Sequence, residues 1–313
     1  MHSSSVQPHH APPYGRLAGK IAALIGNAGL RELDVPGLTI YRYTAPTEAI
    51  SSNYQPSMTL VAQGKKQAAL GDTTFIYDAS HFLLTSLEMP VTSRVIEASI
   101  DKPYLCVRLA FDMGMVRELL ARDGIAPAAH CDNGLAMTTG QTTGQLTDAF
   151  VRLLELQDAP GDIPFVGDLL GREIVYRVLQ STEGERLRSI ATLGEHSHRT
   201  AAVVAWINAN YAKPLPLEEL AGIAAMGQST LHRHFRALTG MTPLRYQKRL
   251  RLQAARTLML IDGFDAASAA FEVGYESASQ FNREYSRFFG RSPLRDVKAL
   301  RAPRPGSGYR SRP

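Results

Sequence analysis

Residues 229–245 read STLHRHFRALTGMTPLR, and residues 279–295 read SQFNREYSRFFGRSPLR. Between residues 229 and 248, seven positions carry the same amino acid as the position 50 residues later. These positions are Ser229, Arg233, Gly240, Pro243, Leu244, Arg245 and Lys248. Because chance does not readily produce so many identities in so short a window, the chain carries a duplicated module. Two copies do not make a solenoid, which needs at least three.

Each copy predicts an amphipathic helix with one apolar face. The apolar residues at helical spacing are Leu231, Phe235 and Leu238 in the first copy, and Phe281, Tyr285 and Phe288 in the second. A short alanine-rich helix and a tight turn precede each copy. We therefore predict two helix-turn-helix units, joined by a long helix at about residues 243–259.

Basic residues are concentrated in the same part of the chain. Residues 197–313 contain 18 Lys or Arg and 8 Asp or Glu, whereas residues 1–196 contain 16 and 21. The net charges are therefore +10 and −5, which indicates a polyanionic partner for one part only. Double-stranded DNA fits this pattern, because a helix enters the major groove and its outward polar side chains reach base edges.

The outward faces of the two helices supply candidates for contacts with DNA. Arginine binds guanine O6 and N7 through a bidentate fork, and Ser or Asn side chains also bond to bases. The outward residues are Ser229, His232, Arg233 and Arg236 in the first copy, and Ser279, Asn282, Arg283 and Ser286 in the second. Helix N-termini and flanking cations bind phosphates. The phosphate-anchoring candidates are Gly227, Gln247, Lys248, Arg249, Arg251, Ser277, Arg295 and Lys298.

Residues 16–135 read mostly as strands. Short β-rich runs are separated by turn signals such as Pro36-Gly37 and Gly71-Asp72. The runs cover residues 38–43, 58–62, 73–77, 81–85, 91–96 and 104–111, with helices expected at 19–29 and 113–122. This spacing favours a β-sandwich or small barrel.

Two amphipathic helices are predicted between residues 142 and 190. Their apolar stripes are Leu146, Phe150, Leu153 and Leu154, then Phe165, Leu169, Leu170, Ile174 and Val178. We expect them to pack on the strands, with a dimer interface as the alternative. A second hypothesis is a ligand pocket within the strands, against the alternative of ordinary core packing. Its lining would be Tyr41, Tyr43, Phe75, Tyr77 and Phe82.

Residues 197–300 resemble the DNA-binding domain of the AraC/XylS transcription regulators. The resemblance rests on Leu231-His-Arg-His-Phe235, Thr239-Gly-Met-Thr-Pro243, Val273-Gly-Tyr-Glu-Ser277 and Gly290-Arg-Ser-Pro293. In this family, two recognition helices enter successive major grooves on one face of DNA. Carried over by position, the resemblance implies base contacts from Ser229, His232, Arg233, Ser279, Gln280 and Arg283. One departure is Ala225 in the first turn, which is strained if its φ must be positive.

The front half is more diffusely similar to the cupin-like N-terminal domain of the same family. Residues 58–64, MTLVAQG, and 83–91, LLTSLEMPV, carry part of that likeness. Such domains sense small molecules or mediate dimerisation. The resemblance thus implies a small-molecule effector or a homodimer, and RNA polymerase as a further partner.

The expected architecture is a multidomain chain: a mostly-β, cupin-like jelly-roll domain with flanking helices, then an all-α domain of two helix-turn-helix units joined by a long helix. The expected boundaries are 1–14 for a disordered tail, 15–190 for the cupin-like domain, 191–198 for a linker, 199–300 for the DNA-binding domain and 301–313 for a basic tail. Cys106 and Cys131 make no disulfide framework, although a single bridge stays open. Without a membrane span or signal peptide, we expect a bacterial cytoplasmic protein.

An enzyme is the main rival reading. The His196-Ser-His198 and His232-Arg-His234 pairs fall in helical or linker segments, where residues i and i+2 point apart. The strands offer only His81 and, at their edge, His130, so we expect no metal, no cofactor and no catalysis. The alternatives are a non-catalytic small-molecule-binding or interaction protein with a degenerate DNA-binding half, and, less favoured, a metal-dependent cupin enzyme. Specific DNA binding that weakens log-linearly with salt separates these readings.

Overall fold

The computed structural model describes residues 13–122, 125 and 134–301. The predicted tails therefore lie outside the described residues except for Pro13, Tyr14 and Arg301. His130 and Cys131 also lie outside them. None of the helices in the described ranges is long and apolar enough to cross a membrane.

The N-terminal half is mostly β-structure, as predicted. Its elements are α1 (Pro13–Ile25), β1 (Leu30–Glu32), β2 (Leu38–Tyr43), β3 (Ile50–Tyr54), β4 (Ser57–Gln63), β5 (Lys65–Leu70), β6 (Thr73–Asp78), β7 (His81–Thr85), β8 (Met89–Glu97), β9 (Tyr104–Ala110), α2 (Met113–Leu120) and β10 (Met137–Gln141). All strand pairs are antiparallel, in a six-stranded sheet of order β1-β2-β9-β4-β7-β10 and a four-stranded sheet of order β3-β8-β5-β6.

Four of these strands were not predicted from the sequence. They are β1, β3, β5 and β10. The sequence of β5, KKQAAL, has no β-branched or aromatic residue, so its strand propensity is low. It forms a strand because β6 and β8 pair with it on both sides. Tertiary pairing has overridden local preference here.

Helices cover one face of the six-stranded sheet. They are α1, α2, α3 (Gly144–Glu155), α4 (Asp168–Gln180) and α5 (Glu185–Ala191), which was not predicted. Their buried side chains, among them Leu17, Phe150 and Ile174, form the helical core with Leu60, Phe82 and Val107 of the sheet. The two predicted amphipathic helices thus pack on the strands.

The stripe predicted for α4 is only partly correct. Leu170, Ile174 and Val178 are buried, but Phe165 and Leu169 are 74% and 53% exposed. A π-helical turn, Ile163–Gly167, precedes α4. Its wider turn shifts the phase of the helix, so Phe165, which lies within it, does not continue the buried stripe. Leu169 lies after this turn, on the solvent side of the buried Leu170.

The C-terminal half is helical. It contains α6 (His196–Asn210), α7 (Leu217–Ala224), α8 (Gln228–Thr239), α9 (Pro243–Leu260), α10 (Ala266–Glu272), α11 (Ala278–Phe289) and α12 (Pro293–Arg301). Between α5 and α6 only residues 192–195 are non-helical, a shorter connection than the linker expected at 191–198.

Two separate cores lie below the two helix-turn-helix units. The sandwich core contains Val61, Tyr77 and Tyr104 between the sheets and continues into Phe235 and Tyr246 of the first unit. The second-unit core is made by buried residues of the second unit and α9, such as Leu252, Phe281, Tyr285 and Val297. Tyr211, at the end of α6, packs against both cores. The first unit therefore shares its core with the sandwich, whereas the second has its own.

Candidate nucleic-acid interface

A left-handed alanine joins the first helix pair, α7 and α8. Ala225 has φ 47° and ψ 49° and is the one non-glycine residue of the described chain with positive φ. The Met226 N–H donates to the Ala221 carbonyl at 3.0 Å, and Gly227 then starts α8 in an extended conformation. Ala225 thus has the positive φ that makes alanine costly, by about 1–2 kcal/mol.

The second helix pair, α10 and α11, is joined by a turn of five residues, two more than the turn of the first pair. Gly274, with φ 89°, lies four residues before α11, whereas Ala225 lies three before α8. A Cβ at Gly274 would overlap the Ala212 carbonyl oxygen, so glycine is required there. The Ser277 hydroxyl caps α11 by accepting the Gln280 N–H at 3.4 Å. The repeat distance is 50 residues at the recognition helices but 49 at the turns.

The inner faces of α8 and α11 are those predicted. Leu231, Phe235 and Leu238 are each at most 2% exposed, and Phe281 and Tyr285 are fully buried. The exception is Phe288, which is half-buried. It lies below the guanidinium of Arg249, whose carbon is 5.5 Å from the ring centre.

The base-reading candidates lie on the opposite faces of these helices. His232 is half-buried, and the other six are exposed: Ser229, Arg233, Arg236, Ser279, Gln280 and Arg283. Three of the α8 side chains, His232, Arg233 and Arg236, line one open depression of the surface. Each recognition helix therefore presents polar side chains to solvent while its apolar face is buried.

Six of the phosphate-anchoring candidates lie at or near the surface. Gly227 and Ser277 occupy the N-caps of α8 and α11, and Arg295 and Lys298 are exposed on α12. Lys248 and Arg249 on α9 are only half-buried. Lys248 forms an ion pair of 2.7 Å with Glu284, which links α9 to α11.

Gln247 and Arg251 do not belong to this set, contrary to the sequence prediction. Gln247 is 3% exposed and its Nε2 donates to the Lys213 carbonyl at 2.6 Å. The Arg251 guanidinium donates to the carbonyls of Tyr211 at 2.7 Å and Gly274 at 2.8 Å, among others. Spaced one helical turn apart on α9, both side chains turn inward and connect helices.

Asp296 accepts hydrogen bonds from two side chains inside the second unit. The Arg256 Nε and Nη2 donate to its carboxylate at 2.8 and 2.9 Å, and the Tyr285 hydroxyl donates at 2.7 Å. The equivalent position in the first unit, 50 residues earlier, is Tyr246. Its hydroxyl instead donates to the Glu88 carbonyl of the sandwich at 2.9 Å. The same position serves internal packing in one copy and domain docking in the other.

Arg245 is a functional candidate that sequence reasoning missed. Its Nη1 and Nη2 donate to the two carboxylate oxygens of Asp72 at 3.0 and 2.7 Å. These hydrogen bonds, together with the charge of Arg245, lower the pKa of Asp72. The offset of 50 could have found Arg245, because it is the counterpart of Arg295. The partner on a distant β-turn had no signal in the sequence.

The turn between β5 and β6 is the centre of this domain contact. Gly71, with φ +61°, approaches Gly240 so closely that an added Cβ would overlap the Gly240 carbonyl oxygen. Nearby, the Ala136 N–H donates to the Leu238 carbonyl at 2.8 Å. The sandwich therefore docks on the end of α8 and the start of α9, and leaves six of the seven base-reading candidates exposed.

The aromatic pocket candidates do not all face one space. Tyr77 is buried in the sandwich core, and the half-buried Tyr41, Tyr43 and Phe75 pack against that core. Phe82 is buried in the helical core, on the opposite face of the six-stranded sheet, so its assignment to this pocket is wrong. Since side chains alternate along a strand, Leu83 and not Phe82 faces inward.

The histidines make contacts of other kinds. His81 Nδ1 lies 3.1 Å from Asp78 Oδ1, and the rings of His196 and His234 stack at 4.7 Å. His198 Nδ1 lies 3.0 Å from the Ile190 carbonyl oxygen. The part of the chain that the structure describes contains no group of three His, Cys, Asp or Glu residues able to hold a metal ion.

Comparison with known proteins finds a family match in each half of the chain. The family profile described as AraC-type transcriptional regulator N-terminus matches residues 34–186, and that described as helix-turn-helix domain matches residues 220–298. In sequence, the transcriptional activator RhaS of Escherichia fergusonii is 31% identical over 154 residues, which cover 49% of this chain and 54% of RhaS. RhaS of Escherichia coli (strain K12 / DH10B) is 27% identical over 150 residues. The chain thus spans about half the length of the curated relatives it matches.

Among solved structures, unsaturated fatty acid bound ToxT from Vibrio cholerae strain SCE256 has the same fold. The likeness covers 85% of this chain and 97% of ToxT, with a TM-score of 0.52 and 10% sequence identity. The fold, the duplicated helix-turn-helix units and both profile matches agree with the resemblance seen in the sequence. The chain belongs to the AraC/XylS family of transcription regulators.

Proposed function

We propose that this protein binds double-stranded DNA sequence-specifically and regulates transcription, and that it is not an enzyme. In this proposal α8 and α11 enter successive major grooves, about 34 Å apart. The observation that carries it is the equivalent, exposed placement of Arg233 and Arg283 on two helices held by the continuous α9. Each arginine is suited to a bidentate contact with guanine.

The two recognition helices would read unlike half-sites. The first helix presents His232, Arg233 and Arg236, whereas the second helix presents Gln280 and Arg283. We assign phosphate contacts to the N-caps Gly227 and Ser277, to Arg295 and Lys298, and to Lys248 and Arg249 after rearrangement of their present contacts. Unlike outward faces on a duplicated scaffold favour an asymmetric site, with the first helix at the more strongly charged half.

Control through the N-terminal domain is the second part of the proposal. The sandwich docks on the first unit and holds Arg245, a phosphate-contact candidate by its equivalence to Arg295. A small molecule that changes this docking would change DNA binding. ToxT, which shares the fold, is described with a bound fatty acid, and the RhaS relatives are named activators. We therefore propose a small-molecule effector, activation through RNA polymerase in the bacterial cytoplasm, and self-association through the N-terminal domain as a further mode of control.

Selection of binding sites from random DNA by the purified protein, followed by hydroxyl-radical footprinting, tests the two-groove arrangement. We expect two protected grooves about one helical turn apart for each monomer. Arg233→Ala and Arg283→Ala should each cost about 1–3 kcal/mol and relax preference at one base position, in different grooves. Lys102→Ala removes an exposed charge from the N-terminal domain and should change neither. One protected groove per monomer would overturn the proposal.

A further inference from the structure

The helix α9 belongs to both helix-turn-helix units. Leu250 is buried in the sandwich core that continues into the first unit, and Leu252 is buried in the second-unit core. Arg251 lies between these two residues, where the helix passes from one core to the other. Long helices are rarely straight and curve with their surroundings. A continuous α9 therefore does not by itself fix the angle between the two units.

The guanidinium of Arg251 connects backbone on both sides of this boundary. Its Nε donates to the Tyr211 carbonyl at 2.7 Å, and its Nη2 donates to the carbonyls of Ala212 at 3.2 Å and Lys213 at 2.9 Å. These three carbonyls lie in the segment between α6 and α7, which leads into the first unit. Its Nη1 donates to the Gly274 carbonyl at 2.8 Å, in the turn of the second unit. One side chain thus makes four hydrogen bonds that join the two units.

The offset of 50 separates the local part of this role from the bridging part. The counterpart of Arg251 is Arg301, on α12. The Nη2 of Arg301 donates to the carbonyls of Met259 at 2.7 Å and Leu260 at 3.3 Å, at the end of α9. Each arginine therefore binds carbonyls around the end of the helix that precedes its own unit, where helices leave acceptors unsatisfied. Arg251 makes the bond to Gly274 in addition.

The two segments that Arg251 joins also touch each other. A Cβ at Gly274 would lie 2.0 Å from the Ala212 carbonyl oxygen. The ring centre of Tyr275, the next residue, lies 5.9 Å from the Arg251 guanidinium carbon. The Tyr275 hydroxyl donates to Glu284 Oε2 of α11 at 2.9 Å. Contacts thus run from the first unit through Arg251 to the second recognition helix.

We propose that Arg251 is a positioning residue that fixes the angle between α8 and α11, and thereby sets the spacing of half-sites that the protein accepts. This role rests on the proposed two-groove binding and assigns part of its specificity to a residue that does not touch DNA. Each base pair added between the half-sites moves the second one by about 3.4 Å and rotates it by about 35°. Units held at a fixed angle lose contacts after such a change, whereas units joined by a helix that is free to curve follow part of it.

Operators of altered spacing test this role. The selected site is compared with sites that have one base pair more or one fewer between their halves. We expect the native protein to lose about 10- to 100-fold in affinity for either change, because the base contacts of one helix are misplaced. Arg251→Met should lose only about 2- to 5-fold, because its units can reorient. Arg301→Met, which removes the local carbonyl contacts but no bridge, should keep the native preference.

Gly274→Ala disturbs the same contact from the other side. The added methyl group meets the Ala212 carbonyl oxygen and must push the two segments apart, so the preferred spacing should shift or broaden. Gly290→Ala is its matched control, because Gly290 also has a positive φ, +74°, but open space around its Cβ position. It should keep the native preference. This second pair of variants decides the question if Arg251→Met does not fold.

A distance measurement without DNA separates this proposal from the proposed function. Spin labels on Ser229→Cys and Ser279→Cys, at equivalent exposed positions of α8 and α11, report the distance between the two helices by pulsed electron resonance. The chain also carries Cys131→Ser, which leaves the buried Cys106 as the remaining native cysteine. We expect a narrow distance distribution in the native background and in Arg301→Met, and a broader one in Arg251→Met.

An equally narrow distribution in Arg251→Met, or equal broadening in Arg301→Met, would overturn the proposal. So would a native protein that binds all three spacings equally, or a native preference in both Arg251→Met and Gly274→Ala. If footprints showed one protected groove while the distance still depended on Arg251, two-groove binding would be refuted and the role of Arg251 in holding the units would stand.

Discussion

Asp72 and Arg245 form a two-point ion pair, at 2.7 and 3.0 Å, across the boundary between the sandwich and the first helix-turn-helix unit. Arg295, the counterpart of Arg245 in the second unit, is exposed. The two copies thus differ in one candidate for contact with phosphate. Because a carboxylate and a phosphate bind the arginine fork in the same way, we expect domain docking and DNA to compete for Arg245.

Asp72→Asn should strengthen DNA binding, because it releases Arg245. We expect the plot of log K against log salt to steepen by up to about 0.9, the value for one phosphate contact on duplex DNA. Fluorescence anisotropy with a selected DNA site, over a salt series, measures both effects. Asp101→Asn makes the same charge change at an exposed residue and should alter neither. If Asp72→Asn had the same DNA affinity and the same salt dependence as the native protein, the competition would be refuted.

The same ion pair predicts the pH range in which docking weakens. The pKa of Asp72 is lowered in the folded protein by Arg245. Its contribution is therefore present above the ordinary aspartate pKa of about 3.9, and is lost as the pH falls through the lower, folded-state value. Docking should be constant from about pH 5 to 8 and weaken only in stronger acid. Trp206, the single tryptophan, packs against the sandwich core and reports docking by fluorescence. If the Trp206 fluorescence of Asp72→Asn changed in acid by as much as that of the native protein, the ionisation of Asp72 would not be the cause.

Gly71→Ala should separate the domains by steric overlap. The added methyl group meets the Gly240 carbonyl oxygen, and the left-handed backbone adds strain. Gly263→Ala is a matched control, because Gly263 has a similar φ of +74° but open space around its Cβ position. We expect both variants to lose about 1–2 kcal/mol to strain, and only Gly71→Ala to change Trp206 fluorescence. A fluorescence change of equal size in both variants would contradict this.

Ala225→Gly should stabilise the first unit modestly. Glycine adopts the observed φ of 47° without the clash of a Cβ, but it also gains freedom in the unfolded chain. The two effects leave a net gain of up to about 1 kcal/mol in the free energy of unfolding. Ala267→Gly, at an exposed position of the helix α10, should instead cost roughly 0.5–1 kcal/mol. Chemical denaturation compares them, and a loss of stability in Ala225→Gly would be the contrary result.

Asp296→Asn should unfold the second unit selectively. Removal of this charge leaves the largely buried guanidinium of Arg256, whose side chain is 13% exposed, without its counter-charge, which costs up to about 3–5 kcal/mol. Tyr246→Phe, the change at the equivalent position of the first unit, removes one hydrogen bond to Glu88 and should cost about 1 kcal/mol. Hydrogen exchange should show faster exchange in α11 and α12 for Asp296→Asn only. Faster exchange throughout the sandwich in that variant would argue against separate cores.

Local rules in the sequence were enough to predict the C-terminal half. Three of its helices carry side-chain caps at Thr242, Asp265 and Ser277, and their apolar spacing is regular. The predicted end of α9, at residue 259, differs from the structure by one residue. The strands were harder, because β5 is held by its neighbours rather than by its own composition. Alternation along β7 could have placed Phe82 outside the sandwich.

Contacts between distant segments had no signal in a single sequence. Asp72 lies on an ordinary β-turn, and only the folded chain brings it to Arg245. Arg251 looked like a surface cation on α9 until its carbonyl partners on two loops were known. Outward cations on a helix can be recognised by spacing, but their partners depend on how whole domains pack.

The continuity of the sandwich core with the first unit has a reciprocal consequence. If an effector in the sandwich changes the affinity of α8 for its half of the operator, that half-site must change the affinity for the effector by the same factor. In the proposed arrangement the half-site of α11 lies over a separate core, and the second unit touches the sandwich through the exposed pair of Arg291 and Glu48, so we expect a weaker linkage there. Two operators can have equal total affinity and yet place their most tightly bound bases in opposite halves. The protein would then respond to different effector concentrations at the two operators.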